Sequence, residues 1–209
     1  MKTYLLSLTT MIVWLSSCQP HPVDKESRSL EDTKLLQQCL LCHDNKEMQR
    51  GPILDGLQEE YMLTQIAKFQ WGQRGAHKFD YQGELMATAI KDFKQEDLEQ
   101  SIALIARRAP RNYLRTVKGD ANLGKEIYKA QCLTCHGEQA EGLKQFKTGS
   151  LAILEDWYLL TQLRNYKSGR RGYHEKDIEG QAMRAIVSSL SDRDLKNIVE
   201  YISNINLED

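Results

Sequence analysis

The chain has 209 residues, with 28 Lys and Arg set against 29 Asp and Glu, and 41% of its residues are apolar. That length supports one or two domains with cores of their own. The near-even charge excludes the basic footprint of a nucleic-acid binder and the acidic run of a solvating tail.

Residues 1–17 read as an export signal. Lys2 supplies the positive start, and Tyr4 to Trp14 form an apolar stretch diluted by serine and threonine, too short to span a bilayer. The stretch ends in Leu15-Ser16-Ser17-Cys18, which resembles the lipobox of bacterial lipoproteins. That resemblance implies cleavage before Cys18 and lipid on its sulfur and new amino group, and several acyl chains together anchor stably. The plainer alternative is an ordinary cleaved signal with an incidental cysteine. Residues 18–29 hold Pro20, Pro22, several charges and little apolar content, as a tether would, and His21 within them is a solvated side chain.

A first domain is expected over residues 30–109. Leu30, Leu35, Leu36, Leu40 and Leu41 fall at near-helical spacing, so a helix from Leu30 to Leu41 runs into Cys39-Leu40-Leu41-Cys42-His43. Gly51-Pro52-Ile53-Leu54 makes a turn and an extended piece. A second helix covers Glu59 to Phe69, with Tyr61, Leu63, Ile66 and Phe69 as its apolar positions, and a glycine-punctuated loop covers Gly72 to Gly83. Met86 lies just beyond. A terminal helix, Gln95 to Arg107, turns Leu98, Ile102, Ile105 and Ala106 inward. Residues 110–119 form a linker in a basic neighbourhood: Arg107, Arg108, Arg111, Arg115 and Lys118. It reads either as a solvated connector or as a source of arginines for anionic groups of a cofactor or partner.

Residues 120–209 repeat the first domain. Thr64, Gln65, Gly72, Arg74, Gly75, His77 and Met86 recur 97 positions later as Thr161, Gln162, Gly169, Arg171, Gly172, His174 and Met183. The cysteines recur at 93, in Cys132-Leu133-Thr134-Cys135-His136, so the second copy has four extra residues after that motif. A repeat of this length means duplicated domains, not a solenoid. Ser191 and Asp194 form a capping pair for the last helix, whereas Lys94 fills the same slot in the first copy and starts its helix less firmly.

Two C-x-x-C-H runs are the attachment signature of covalent haem c. The two thiols add to the macrocycle's vinyl groups, and the following histidine, His43 or His136, lies under the iron as axial ligand. Zinc or dithiol chemistry is the alternative for a single such run. Four of the five cysteines sit in the motifs, which leaves no pair for a structural disulfide. Met86 and Met183 are candidates for the other axial position, where thioether opposite imidazole suits electron transfer. Core packing is the competing role for a methionine, and His77 and His174 are rival ligands at matched positions.

The two C-x-x-C-H runs, the Leu-Thr-Gln helix, the Gly-x-Arg-Gly loop and the methionine before each terminal helix resemble the di-haem cytochrome c4 group over Leu30 to Asn204. The resemblance implies an all-α protein of two tandem class I cytochrome c domains about a pseudo-twofold, with two covalently bound haem c groups whose edges lie close together. It implies an electron carrier between a redox protein donor and acceptor, such as a terminal oxidase or reductase, on the periplasmic side of a bacterial membrane. Gln19 after Cys18 favours the outer membrane. An electron-transfer subunit of a dehydrogenase and a di-haem enzyme with one open haem are alternatives; a sensor would need a signalling domain. Two features depart from the group. One is the lipobox. The other is Gly149, which stands where Pro52 offers its carbonyl to the proximal histidine in the first copy, and leaves that backbone less restrained.

Overall fold

The computed structural model describes residues 25–44 and 51–205. The signal segment 1–17, Cys18 and the tether up to Asp24 lie outside the described residues. Among the described residues there are helices and no strands: α1 (Lys25–His43), α2 (Glu59–Gln70), α3 (Tyr81–Ala89), α4 (Gln95–Ala106), α5 (Ala121–Gln131), α6 (Leu133–His136), α7 (Asp156–Lys167), α8 (Ile178–Ser188) and α9 (Asp192–Ile205). None is long and apolar enough to cross a membrane. The fold is the all-α one expected. Helices α1–α4 gather around one cavity, and α5–α9 around another.

Helix ends follow local chemistry. Asp80 starts α3 by accepting the Gly83 amide at 3.1 Å, and Asp177 starts α8 by accepting the Gly180 amide at 3.1 Å. The glycine loop therefore ends at Asp80, three residues before the expected Gly83. Ser191 and Asp194 make the full reciprocal cap of α9: Ser191 N–H donates to Asp194 at 2.8 Å, and Asp194 N–H donates to Ser191 Oγ at 3.2 Å. Lys94 gives α4 no side-chain cap. Helix α1 begins at Lys25, earlier than the Leu30 read from its leucines. Leu41 is 74% exposed, on the side of the helix that borders the first cavity.

The core is continuous through both halves. Leu57, Met62, Ile66, Phe69, Leu98, Ile102 and Ile105 fill the first, and Tyr128, Leu159, Leu195, Ile198, Val199 and Ile202 the second. Each fully buried aliphatic side chain contributes about 1.5–3 kcal/mol. Helix α5 lies so close to α9 that a Cβ at Gly124 would run into the Asn197 carbonyl, which is why this crossing takes a glycine.

The linker is exposed along much of its length but pinned at several points. Arg108 reaches Asp55 at 2.7 Å, and Arg111 reaches Asp55 and Asp44 at 2.6 Å each. Asp156 at the start of α7 accepts the amides of Thr116 and Val117, and Arg115 bonds Asn204.

Across the boundary between halves, bonds recur in pairs related by the offset of 97. Arg74 donates to its own Gln65 at 2.9 Å and across to Gln162 at 3.2 Å; Arg171 donates to its own Gln162 at 2.9 Å and across to Gln65 at 2.8 Å. Arg74 also donates to Tyr158 at 2.8 Å, and Arg171 bonds Tyr61. Each guanidinium stacks on a ring of its own half, Arg74 on Phe69 and Arg171 on Tyr166, both at 4.5 Å. The pseudo-twofold breaks farther out. Lys68 reaches Asp177 at 2.5 Å and Glu179 at 2.9 Å, while its counterpart Asn165 makes only a long bond, 3.5 Å, to Asp80.

Candidate functional site

Each half contains a cavity with the same four side chains on its walls. In the first, of about 380 Å³, Cys39, Cys42 and His43 come from the end of α1, and Met86 comes from α3. In the second, of about 500 Å³, Cys132, Cys135 and His136 come from α6 and the residue before it, and Met183 comes from α8. Two thiols and an imidazole on one side with a thioether carried by another helix make the donor set of a haem c site. The rest of each lining is mostly apolar. His77 and His174 line neither cavity. Each turns its Nδ1 to a backbone amide two residues on, Phe79 at 3.3 Å and Lys176 at 3.1 Å.

The side chains fit the group. His136 is 8% exposed, and neither ring nitrogen has a hydrogen-bond partner in the protein. An orphaned buried imidazole is costly unless something ligates it. Burial pushes its pKa down to about 4, and burial also lowers that of His43, against the Pro52 bond that raises it. Both rings are held neutral, with a lone pair to offer a metal. Burial raises the Cys39 thiol and pushes Cys132 up to about 11.

The cavities meet. Tyr61, Gln65, Leu154 and Tyr158 line both, so groups filling them would approach across this shared wall. Arg74 faces the first cavity and Arg171 the second. The linker arginines line neither cavity. Trp157, on α7 of the second half, lines the first cavity, and its indole N–H is buried without a partner.

The two proximal histidines sit differently. His43 Nδ1 bonds the Pro52 carbonyl at 2.6 Å, and a Cβ on Gly51 would lie 2.7 Å from its ring. His136 has no such bond. The Gly149 carbonyl, at the place of Pro52's, receives no bond from it. The space explains the residue: a Cβ at Gly149 would lie 2.5 Å from the Tyr61 ring of the other half. Proline cannot sit there without displacing that ring.

Sequence reading marked Gln65, Gln162, Arg74 and Arg171 as signs of the repeat but gave them no contact with each other. It gave Tyr61 only as an apolar helix position and passed over Trp157 and Tyr158, and also Glu155, whose only sequence signal is its place 97 residues after Gln58.

Comparison with known proteins agrees with this geometry. The family model described as Cytochrome c matches residues 121–206. Cytochrome c-554(547) of Halothiobacillus neapolitanus is 37% identical over 91 residues, 42% of this chain and 98% of that protein. Cytochrome c4 of Azotobacter vinelandii is 26% identical over 185 residues, 80% of this chain and 84% of that one. Among solved structures, thiosulfate dehydrogenase (TsdBA) from Marichromatium purpuratum superimposes with a TM-score of 0.66 at 24% identity, covering 83% of this chain. The present chain spans 39% of that larger one.

Proposed function

Because the chain belongs to the cytochrome c family, as a di-haem cytochrome c4-like protein, we propose that it carries electrons between respiratory redox proteins on the exported side of a bacterial membrane. Cys39, Cys42, His43 and Met86 would hold one haem, and Cys132, Cys135, His136 and Met183 would hold the other. The carrying observation is that two cavities with the same donor set share the wall Tyr61, Gln65, Leu154 and Tyr158. Haem c supplies a one-electron iron couple. The chain would keep the two haems adjacent across the shared wall, each in a mostly apolar lining. Lipid on Cys18 holds the protein to the membrane, with the outer membrane favoured by Gln19.

A reductive titration followed by visible spectroscopy tests this reading. Two haems per chain are expected after a denaturing acid–acetone wash, both with the ferric methionine charge-transfer band and both slow to bind carbon monoxide when reduced. One haem or none after the wash overturns it. A second reading, an electron-transfer segment of a dehydrogenase, draws on the fold match to TsdBA. Rapid carbon monoxide binding at one haem of the unmodified protein would instead favour an open, catalytic iron. Unchanged processing and membrane retention of Cys18→Ala would remove the lipid anchor from the proposal.

A further inference from the structure

One peptide group in the first half is bonded at both ends. The Pro52 carbonyl accepts the His43 Nδ1–H at 2.6 Å. The N–H of the same peptide plane, on Ile53, donates to Glu155 Oε2 at 2.9 Å. Glu155 belongs to the other half, immediately before α7, and is 4% exposed. A carboxylate on the N–H end makes a charge-assisted bond and polarises the peptide, so that its oxygen becomes a stronger acceptor.

The equivalent peptide in the second half lacks this chain at both points. The Ser150 N–H donates at 2.8 Å to Oε1 of Gln58, a neutral amide at an exposed position. The Gly149 carbonyl receives no bond from His136. Glu155 and Gln58 are counterparts at the offset of 97. The two halves therefore differ by an acid for an amide at one end of the peptide and by a bonded for an unbonded histidine at the other.

We propose that Glu155 is a positioning residue for the first haem, acting through the Pro52–Ile53 peptide on His43 and setting that haem's reduction potential below the second's. The proposal rests on the di-haem reading above. A stronger bond from Nδ1–H makes the ligating nitrogen a better donor, and hydrogen bonding of this kind around the ligands favours the ferric state. In a titration the second haem is then reduced first. One half thus tunes the other: the group that sets the first haem's potential is folded into the second domain.

The test is a reductive titration of the wild-type protein and of Glu155→Gln, with the His43 Nδ1–H resonance followed by proton NMR in the reduced state. Met183→Ala identifies the step that belongs to the second haem. Glutamine keeps the shape and an acceptor oxygen for Ile53, as Gln58 already does for Ser150. In E155Q the first haem's reduction equilibrium should rise about tenfold, 59 mV for a one-electron couple. The second should stay where it was, and the His43 Nδ1–H signal should move upfield. An unmoved first potential with both haems bound overturns the proposal. So does a moved potential with an unmoved Nδ1–H signal, which marks a charge acting through space. If E155Q does not take up both haems, the wild type decides: a first haem that titrates with or above the second overturns the proposal. Fewer than two haems in washed wild-type protein rejects the di-haem reading itself, before any potential is measured.

Discussion

Behind His43 stands a proline carbonyl at 2.6 Å, and behind that a buried carboxylate from the other half. Behind His136 stands a glycine with a tyrosine ring packed against it, and no bond. Yet the two halves meet through the same residues, with Gln65, Arg74 and Tyr61 answered by Gln162, Arg171 and Tyr158. The contrast shows where a duplicated fold is free to diverge. The shared wall needs both copies at once and stays paired. The proximal loops each serve one histidine and differ, and the Tyr61 ring on Gly149 shows how one copy's packing sets what the other's loop can hold.

The comparison is broken most severely at Lys68. Replacing it with alanine leaves buried Asp177 without its cation and partly buried Glu179 with Lys147 alone, at a cost of about 3–5 kcal/mol. Its counterpart Asn165 makes one long bond at 3.5 Å, so Asn165→Ala should cost under about 1 kcal/mol. Thermal unfolding of the two variants should give a large and a small drop in Tm; equal drops would mean that the ion pairs carry no special weight.

Next in size is the proximal loop. Gly149→Ala puts a methyl group into the Tyr61 ring and should destabilise by about 1–3 kcal/mol. Pro52→Ala keeps the carbonyl that His43 uses, frees the unfolded chain and trims a buried ring, a loss of about 1 kcal/mol. Denaturant midpoints rank the two directly, and the reverse order would contradict the packing account of Gly149.

The terminal helices offer a smaller contrast. Ser191→Ala removes the cap of α9 and should cost about 1 kcal/mol. Lys94→Ser installs the missing cap on α4, with Asp97 already three residues on, and should gain about 0.5 kcal/mol. Amide hydrogen exchange in the first turn of each helix should slow in one variant and quicken in the other.

The smallest effect is expected from pH. Although burial raises it, the Glu179 carboxyl is held down to about 2 by hydrogen bonds from Lys68 and Lys147, against an ordinary value of 4.5. A carboxylate lowered in the folded state stabilises fully above its ordinary value and loses that contribution as pH falls toward 2. Between about pH 4.5 and 2, Glu179→Gln should therefore lose less Tm than the wild type. Because Glu179 is partly exposed, the difference is modest. A parallel fall in both would show that Glu179 is not ionically held.

Much of this was legible in the residues. The offset of 97 marks the duplication, and the C-x-x-C-H runs mark the cavities' thiols and imidazoles. Ser191 and Asp194 mark a cap because capping is local. What was not legible needs closure in space. Leu41 sits at helical spacing, yet periodicity alone cannot say which side of α1 the rest of the half will cover. Arg108 and Arg111 read as unattached charge until Asp44 and Asp55 arrive from more than fifty residues away. Glu155 carried no signal of its own, because the amide it accepts is 102 residues earlier.

The paired arginines and glutamines carry a consequence for how such a chain could have arisen. Gln65 meets Arg171 while Gln162 meets Arg74, so the surface is complementary to its own copy. That is the pattern of an isologous contact between identical subunits. A lone ancestral domain with these residues already had what it needed to associate with a twin. In a homodimer every substitution appears twice, once on each side. Joining the copies in one polypeptide lifts that constraint, and the one-sided contacts are of the kind that only then becomes available. Lys68 opposite Asn165 is one. Tyr173, bonded to Ala76 and Gly72 where its own counterpart is an alanine, is another.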